Sequence, residues 1–508
     1  MRKILLPVTL GLCLIGNAQK KNSPASFASS ITADDMKKHL FTIAGPEMEG
    51  RDTPSPGLEK AASYIEEHFK SLGLKPGNNG SFRQEYPLYR DSMTSTALAI
   101  NGAGFELSKD FQPNTNTNHT AEMRFSEVTF VGFGIVDATI DSYKDIDVKG
   151  KLVMFLDGAP ADYKPAEQGF RSPANAFAKI AKAKEKGAVA VLIVYNNFPR
   201  KTFNNGANYS MNGYAASLNP QTFSISEAIA EKITGIAGIV AKMKSEPVAS
   251  GVFKADIDLG YIEITKKAAA SNVIAVLEGT DKKDEFVLIT SHYDHVGKRA
   301  DGTIYFGADD DGSGTTGVLE ISEAFAKAKA AGKGPRRTMV FMTVSGEEKG
   351  LWGSEYYANH PIYPLEKTTV DLNIDMIGRI GEEYLKDKDS MNYVYVIGDD
   401  KLSTDLTPIT DLVNSKNTKM KLDRKYNDPN DKNRFYYRSD HYNFAEKGVP
   451  VIFYFNGVHA DYHRPTDTPD KINYKLMAKR GQLVFLTAWE MANRESMLKR
   501  DLTLPKAF

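Results

Sequence analysis

Several apolar runs in this sequence end on polar clusters that could hold a metal ion. "FVLITS" leads into His292-Tyr293-Asp294-His295, "MVFMTVS" into Gly346-Glu347-Glu348, and "VDLNI" into Asp375. "FGADDDGSGTTG" sets Asp309, Asp310 and Asp311 side by side, and "HADYHRPTDTPDKIN", after the apolar "VPVIFYF", adds His459, Tyr462 and His463. Adjacent carboxylates repel one another, so three in a row call for positive charge. Imidazoles and carboxylates without thiolates suit zinc in a catalytic rather than a structural site. A carboxylate has two oxygens and can bridge two cations, so Asp310 is read as the point where two metal ions neutralise the cluster.

The elements that must position these groups are visible from Ser271 onward, where strands and helices alternate. The strands are "NVIAVLEG", "EFVLITSH", "RTMVFMTVS", "TVDLNIDM", "NYVYVIG" and "VPVIFYF"; the helices are "GTTGVLEISEAFAKAKA", "GSEYYANH", "HYNFAEKG" and "YKLMAKRGQLVFLTAWEMANRES". Long apolar strands between helices predict an α/β fold with a mostly parallel central sheet flanked by helices. In an open sheet of this kind ligands sit outside the carboxyl ends of the strands, so the separate clusters converge on one crevice.

Upstream, "GLEKAASYIEEHFKSLGLKP" places Leu58, Ala61, Ala62, Ile65, Phe69 and Leu72 at helical spacing, closed by Gly73 and Pro76. From about Arg124 the texture changes to short β-rich pieces, "VTFVGFGIV" and "KGKLVMFLDG", then a helix "NAFAKIAKAKEKG" and a strand "AVAVLIVYN", with no ligand cluster. The expected organisation is a discontinuous catalytic domain over residues 30–115 and 270–508, interrupted by a smaller β-rich domain over 120–265.

With 508 residues, 41% of them hydrophobic and 25% charged, the chain can bury a full-sized core and at least one further domain. Lys+Arg 64 against Asp+Glu 64 leaves no charge excess that would favour nucleic acid or an anionic membrane as a partner. Arg2-Lys3, the apolar run Ile4 to Ile15, and small Gly16 and Ala18 predict a signal peptide over residues 1–18. The competing readings are a buried strand and a membrane anchor, but the run is shorter than the ~20 residues a bilayer requires. The protein is thus expected to be exported, periplasmic or extracellular, with no stable membrane association after cleavage. The single cysteine, Cys13, lies inside that segment, which leaves the mature chain without disulfides or thiolate ligands.

Taken together, "SHYDHVG", "GADDDGSG", "SGEEKGLWGSEYY", "NIDMIGR", "RSDHYNF" and "DYHRPTDTPDKI" resemble, in motif and in order, the secreted di-zinc aminopeptidases related to glutamate carboxypeptidase, the transferrin receptor ectodomain and glutaminyl cyclases. The middle segment is similar to a protease-associated domain in "DVKGKLVMF" and "AKEKGAVAVLIVYN". The resemblance implies a zinc exopeptidase fold and two Zn2+ ions per chain: His292 and Asp375 on one, Glu348 and His463 on the other, Asp310 bridging. It makes Asp294 the carboxylate that orients His292, and Glu347 the general base. It also puts Tyr462 at the developing oxyanion and Arg438 near the substrate.

A cis peptide is implied at Asp310-Asp311. The activity implied is removal of the N-terminal residue of peptide substrates, with a water between the two ions as nucleophile. The alternatives are an exopeptidase acting at the C-terminus or on dipeptides, a glutaminyl cyclase, and a receptor-like ectodomain without catalysis. Asp309 and Asp311 are read as capping the following helix or bonding the loop. His39, His68, His119, His295, His360, His441 and His459 are read as structural.

Overall fold

The computed structural model describes residues 23–165, 172–199, 203–245 and 248–504, so the expected signal peptide and Cys13 lie outside the described residues. The chain divides into two compact units, one of residues up to Tyr86 and from Ala269 on, the other of Pro87–Ala268.

In the first unit, four neighbouring strands run parallel in the order Val451–Phe455, Thr368–Ile374, Lys282–His292, Arg337–Val344. Beyond Arg337–Val344, residues 273–277 pair antiparallel; beyond Val451–Phe455, Tyr393–Ile397 pairs antiparallel and Lys421–Asp423 then joins it in parallel. The four central strands are buried almost throughout, as expected where helices cover both faces of a parallel sheet. Helix Gly314–Ala330 explains one face. Twelve of its residues are buried, because it packs on strand Lys282–His292 and also against helices Ala33–Ile43 and Tyr474–Asn493.

Helices Ala33–Ile43 and Pro56–Ser71 are fixed by side-chain caps. Thr32 accepts from the amide of Asp35, with Asp34 and Asp35 in the first turn, and Ser55 accepts from the amide of Leu58 ahead of Pro56–Ser71. Just before the second of these, Arg51 is fully buried. Its guanidinium donates to the carbonyls of Ile43 and Phe306 at 2.8 Å each, Tyr293 at 2.7 Å and Gly307 at 2.8 Å.

In the second unit, Ala121–Phe130, Leu152–Leu156, Ala190–Tyr195 and Gln221–Ser226 run parallel in that order. Residues 251–261 pair antiparallel with the first of them, and Phe111–Pro113 with the last. Residues 87–115, which the sequence pattern groups with the catalytic domain, pack in this unit. Leu98, Ile100 and Phe111 are buried with Val128, Leu192 and Phe223, so the partner of this alternating strand is the second core. Among the described residues no helix is long and apolar enough to cross a membrane.

Candidate metal centre

Each group singled out by spacing stands at the carboxyl end of one of the four parallel strands or in the loop beyond. His292 ends its strand; Glu347 and Glu348 open a single helical turn after Arg337–Val344; Asp375 follows Ile374; Tyr462 and His463 lie in the turns after Val451–Phe455. Asp310 lies in the irregular turn Ala308–Ser313 that feeds helix Gly314–Ala330, and the Asp310-Asp311 peptide is cis. Gly307 opens that turn at φ +57. A Cβ there would meet the Asp310 carbonyl at 2.4 Å and the His295 ring at 2.4 Å, so the chain can pass only without a side chain.

These turns bring the side chains together around Asp310. His292 Nε2 lies 3.4 Å from Asp310 Oδ1 and 3.6 Å from Asp375 Oδ1. On the other side, His463 Nε2 is 3.0 Å from Asp310 Oδ2 and 3.1 Å from Glu348 Oε2. Glu347 Oε2 is 3.9 Å from His292 Nε2. His463 is 40% exposed at its side chain where Asp310 is 5% and Glu348 8%, which puts it at the mouth of the crevice. Arg438, whose guanidinium stacks on Phe435 with 5.0 Å to the ring centre, lines the same crevice with Tyr462 and Glu347.

The donor atoms converge without bonding one another. His292 Nε2, Asp310 Oδ2 and Glu348 Oε1 are buried and have no hydrogen-bond partner. Buried polar atoms are almost always satisfied, so a cluster of orphaned nitrogen and oxygen donors fits a cation between them. The electrostatics agree. Burial opposes charge on His292, yet Glu347 and Asp375 outweigh it and hold the imidazole well above its ordinary range. His463 is likewise raised, to about 10, with burial opposing and Asp310 and Glu348 prevailing. Glu347 is pushed well above the carboxylate range, first by burial and then by Glu348 and Asp375, against the pull of His292.

The remaining carboxylates of the opening triplet face the backbone. Asp311 accepts from the amides of Gly314 at 2.8 Å, Met376 at 3.0 Å and His292 at 3.3 Å. Its oxygens fall within ligand range of His292 and Asp375, but three amides already occupy them, so Asp311 serves the loop. Asp309 accepts from the amide of Gly378 at 2.6 Å and lies 3.1 Å from His459 Nε2. Both arrangements match the loop-bonding role expected of these two residues. His441 is buried against Phe453, with burial lowering it to about 3.

Asp294 meets His292 with two groups. Its carbonyl is 3.2 Å from Nδ1 and its Oδ1 3.6 Å, while Oδ1 also accepts from the amide of Glu347 at 3.2 Å. Three contacts were not anticipated. His295, read as structural, has Nδ1 2.8 Å from Glu348 Oε1, with no hydrogen bond of acceptable direction. Ser439 donates to Asp375, and Asp467 accepts from the amides of Asp309 at 2.9 Å and Asp310 at 3.3 Å. All three fall inside the six motifs, which were the signal available for them.

Residues 272–488 match the model of peptidase family M28. Among curated proteins, a probable glutamate carboxypeptidase of Arabidopsis thaliana is 33% identical over 153 residues, covering 30% of this chain and 21% of that protein. A probable leucine aminopeptidase of Trichophyton verrucosum is 29% identical over 227 residues, covering 44% of this chain and 57% of that one. The chain thus spans 21% and 57% of the length of these two relatives.

Among solved structures, an aminopeptidase from Aneurinibacillus sp. strain AM-1 aligns with a TM-score of 0.54 at 20% identity, covering 96% of this chain and all of that one. A zinc aminopeptidase from Bacillus subtilis aligns with a TM-score of 0.52 at 18% identity, covering 93% and 99%. These likenesses bear out the mixed α/β fold. The segment that matches the peptidase family M28 model, residues 272–488, carries the whole converging set of imidazoles and carboxylates.

Proposed function

We propose that this protein is a zinc-dependent exopeptidase that removes the N-terminal residue from peptides. One observation carries the reading: the two oxygens of Asp310 face different imidazoles, Oδ1 towards His292 at 3.4 Å and Oδ2 towards His463 at 3.0 Å. A carboxylate divided in this way suits two cations. His292 and Asp375 would hold one zinc, Glu348 and His463 the other, with Asp310 shared.

Bound zinc would supply Lewis-acid polarisation of the scissile carbonyl and lower the pKa of water. Glu347 then takes a proton from the attacking water and returns it to the departing amine. Tyr462 supports the developing oxyanion. Burial first, then Asp310 and Glu348, suppress its ionisation, so its hydroxyl stays a donor. Asp294 holds the His292 ring by Nδ1.

The carboxylates lining the crevice would receive the substrate's α-ammonium group. Met376, Phe435, Phe453, Phe455 and Val458 line it on the apolar side, which favours an apolar N-terminal residue. The segment 120–265 is proposed to be a protease-associated domain, and the protein to act after export.

A second reading, release of a C-terminal residue, draws on Arg438 in the crevice, since a guanidinium pairs with a carboxylate. Aminoacyl p-nitroanilides and N-blocked peptides with free C-termini distinguish the two. The proposal expects hydrolysis of the former, abolished by chelation and restored by zinc; turnover of only the N-blocked peptides would reverse the assignment.

A further inference from the structure

Three helices of the first unit bring a second set of nitrogen and oxygen donors together, away from the crevice. His39 stands on Ala33–Ile43, Tyr64 and His68 on Pro56–Ser71, and Glu320 and Glu323 on Gly314–Ala330. The spacing of four between Tyr64 and His68, and of three between Glu320 and Glu323, puts each pair on one helix face. One ligand atom each from His39, His68 and Glu323 lies within 4.8 Å of the other two. The rings of His39 and His68 meet edge-on, with centres 4.6 Å apart and planes at 85°.

The hydrogen bonds around this cluster leave lone pairs pointing inward. His39 Nδ1 is engaged by the Tyr64 hydroxyl at 2.8 Å, which frees Nε2. That Nε2 lies 3.5 Å from Oε1 of Glu320, a residue only 2% exposed whose Oε1 has no hydrogen-bond partner. The buried Nε2 of His68 has no partner. Lys327 pairs with Oε1 of Glu323. Helix packing alone would bury such groups satisfied; here a buried nitrogen of His68 and a buried oxygen of Glu320, each on a residue next to the His39 ring, are both left over.

We propose that His39, His68 and Glu323 form a separate zinc site that fastens helices Ala33–Ile43 and Pro56–Ser71 to helix Gly314–Ala330. The donor set of two imidazoles and one carboxylate suits a borderline divalent cation, with water or Glu320 completing the coordination. The Tyr64 hydroxyl would fix the His39 ring as a partner behind the ligand. A cation binding only the folded state would stabilise it by mass action. The site stands independently of the catalytic reading, because none of its groups lies in the crevice.

Crystals of the full chain soaked in Zn2+ and measured at the zinc absorption edge test this directly. An anomalous difference peak bounded by His39, His68 and Glu323 is expected; no peak there at saturating Zn2+ overturns the proposal, whatever the crevice holds. In solution, equilibrium dialysis against Zn2+ followed by elemental analysis should show one zinc per chain fewer in His39→Gln/His68→Gln than in the wild type. Equal stoichiometry would overturn the site. If that double variant fails to fold, Glu323→Gln is the substitute, with side-chain exposure of 27% making it the milder change. It should weaken the same zinc at least tenfold and reduce the zinc-induced rise in melting temperature; unchanged affinity would count against the site.

Discussion

The hydroxyl of Ser439 donates a hydrogen bond to Oδ2 of Asp375 over 2.7 Å, and itself accepts from the Asn373 side chain at 2.8 Å. Strand Thr368–Ile374 thus reaches Asp375 twice, once through the backbone and once through this relay, leaving Oδ1 to face His292. Ser439→Ala should release one rotation of the carboxylate. Zinc affinity is expected to fall about 10–100-fold while turnover at saturating zinc changes little. Zinc titration of activity checks this, and an unaltered zinc requirement would refute the relay.

Glu347 and Glu348 are adjacent yet aimed apart, towards His292 and His463. Glu347→Gln should keep bound zinc and lose roughly 10²–10⁴-fold in kcat, since proton transfer is what it removes. Glu348→Gln should lose zinc. Elemental analysis alongside kinetics separates the two; equal metal loss in both would mean that the roles are misassigned.

His295 and His463 both approach Glu348, at 2.8 and 3.1 Å. Only His463 also comes within 3.0 Å of Asp310, against 3.8 Å for His295, so His463 is the expected ligand and His295 a positioning group. His463→Ala should remove one zinc per chain. His295→Ala should retain both with weakened affinity, and the reverse pattern in elemental analysis would exchange their roles.

Asp371 is fully buried in strand Thr368–Ile374, accepts from Thr290 at 2.8 Å on one oxygen and has no partner on the other; burial raises it to about 8. The folded state then holds this proton more tightly than the unfolded chain does. Its contribution to stability is complete below the ordinary carboxylate range and is lost as pH rises through about 8. Asp371→Asn, which stays neutral, should flatten the decline in stability between pH 6 and pH 9 in urea unfolding. An unchanged slope would exclude Asp371 as its source.

The ends of the central strands were legible because each couples a continuous apolar run to an abrupt polar cluster, and helix Gly314–Ala330 matches its expected span. Where two histidines compete for one carboxylate, as His295 and His463 do, spacing carries no information about which ring turns inward. Asp467 holds two loop amides from a distance of 158 and 157 residues, a relation no local pattern contains. Strand Arg83–Ile100 shows the other limit. Alternation reveals which of its faces is buried, whereas the core that Leu98 and Ile100 join depends on pairing with residues far along the chain.

Arg51 bears on the smallest fragment that could fold. Its guanidinium supplies the only charge-assisted donors reaching the carbonyls of Tyr293, Phe306 and Gly307 among the described residues, and those carbonyls belong to the two loops that carry His292 and Asp310. Excised as a polypeptide of residues 272–488, the family-matched segment would lose these charge-assisted bonds, at a cost of about 1.5–3 kcal/mol for each, and only the Gly307 carbonyl would keep another donor, the amide of Gly312 at 3.1 Å. Such an excerpt should emerge as a collapsed, zinc-indifferent chain. Supplying residues 23–86 in trans should then rescue metal uptake, which would make the amino-terminal helices a complementing peptide rather than a leader.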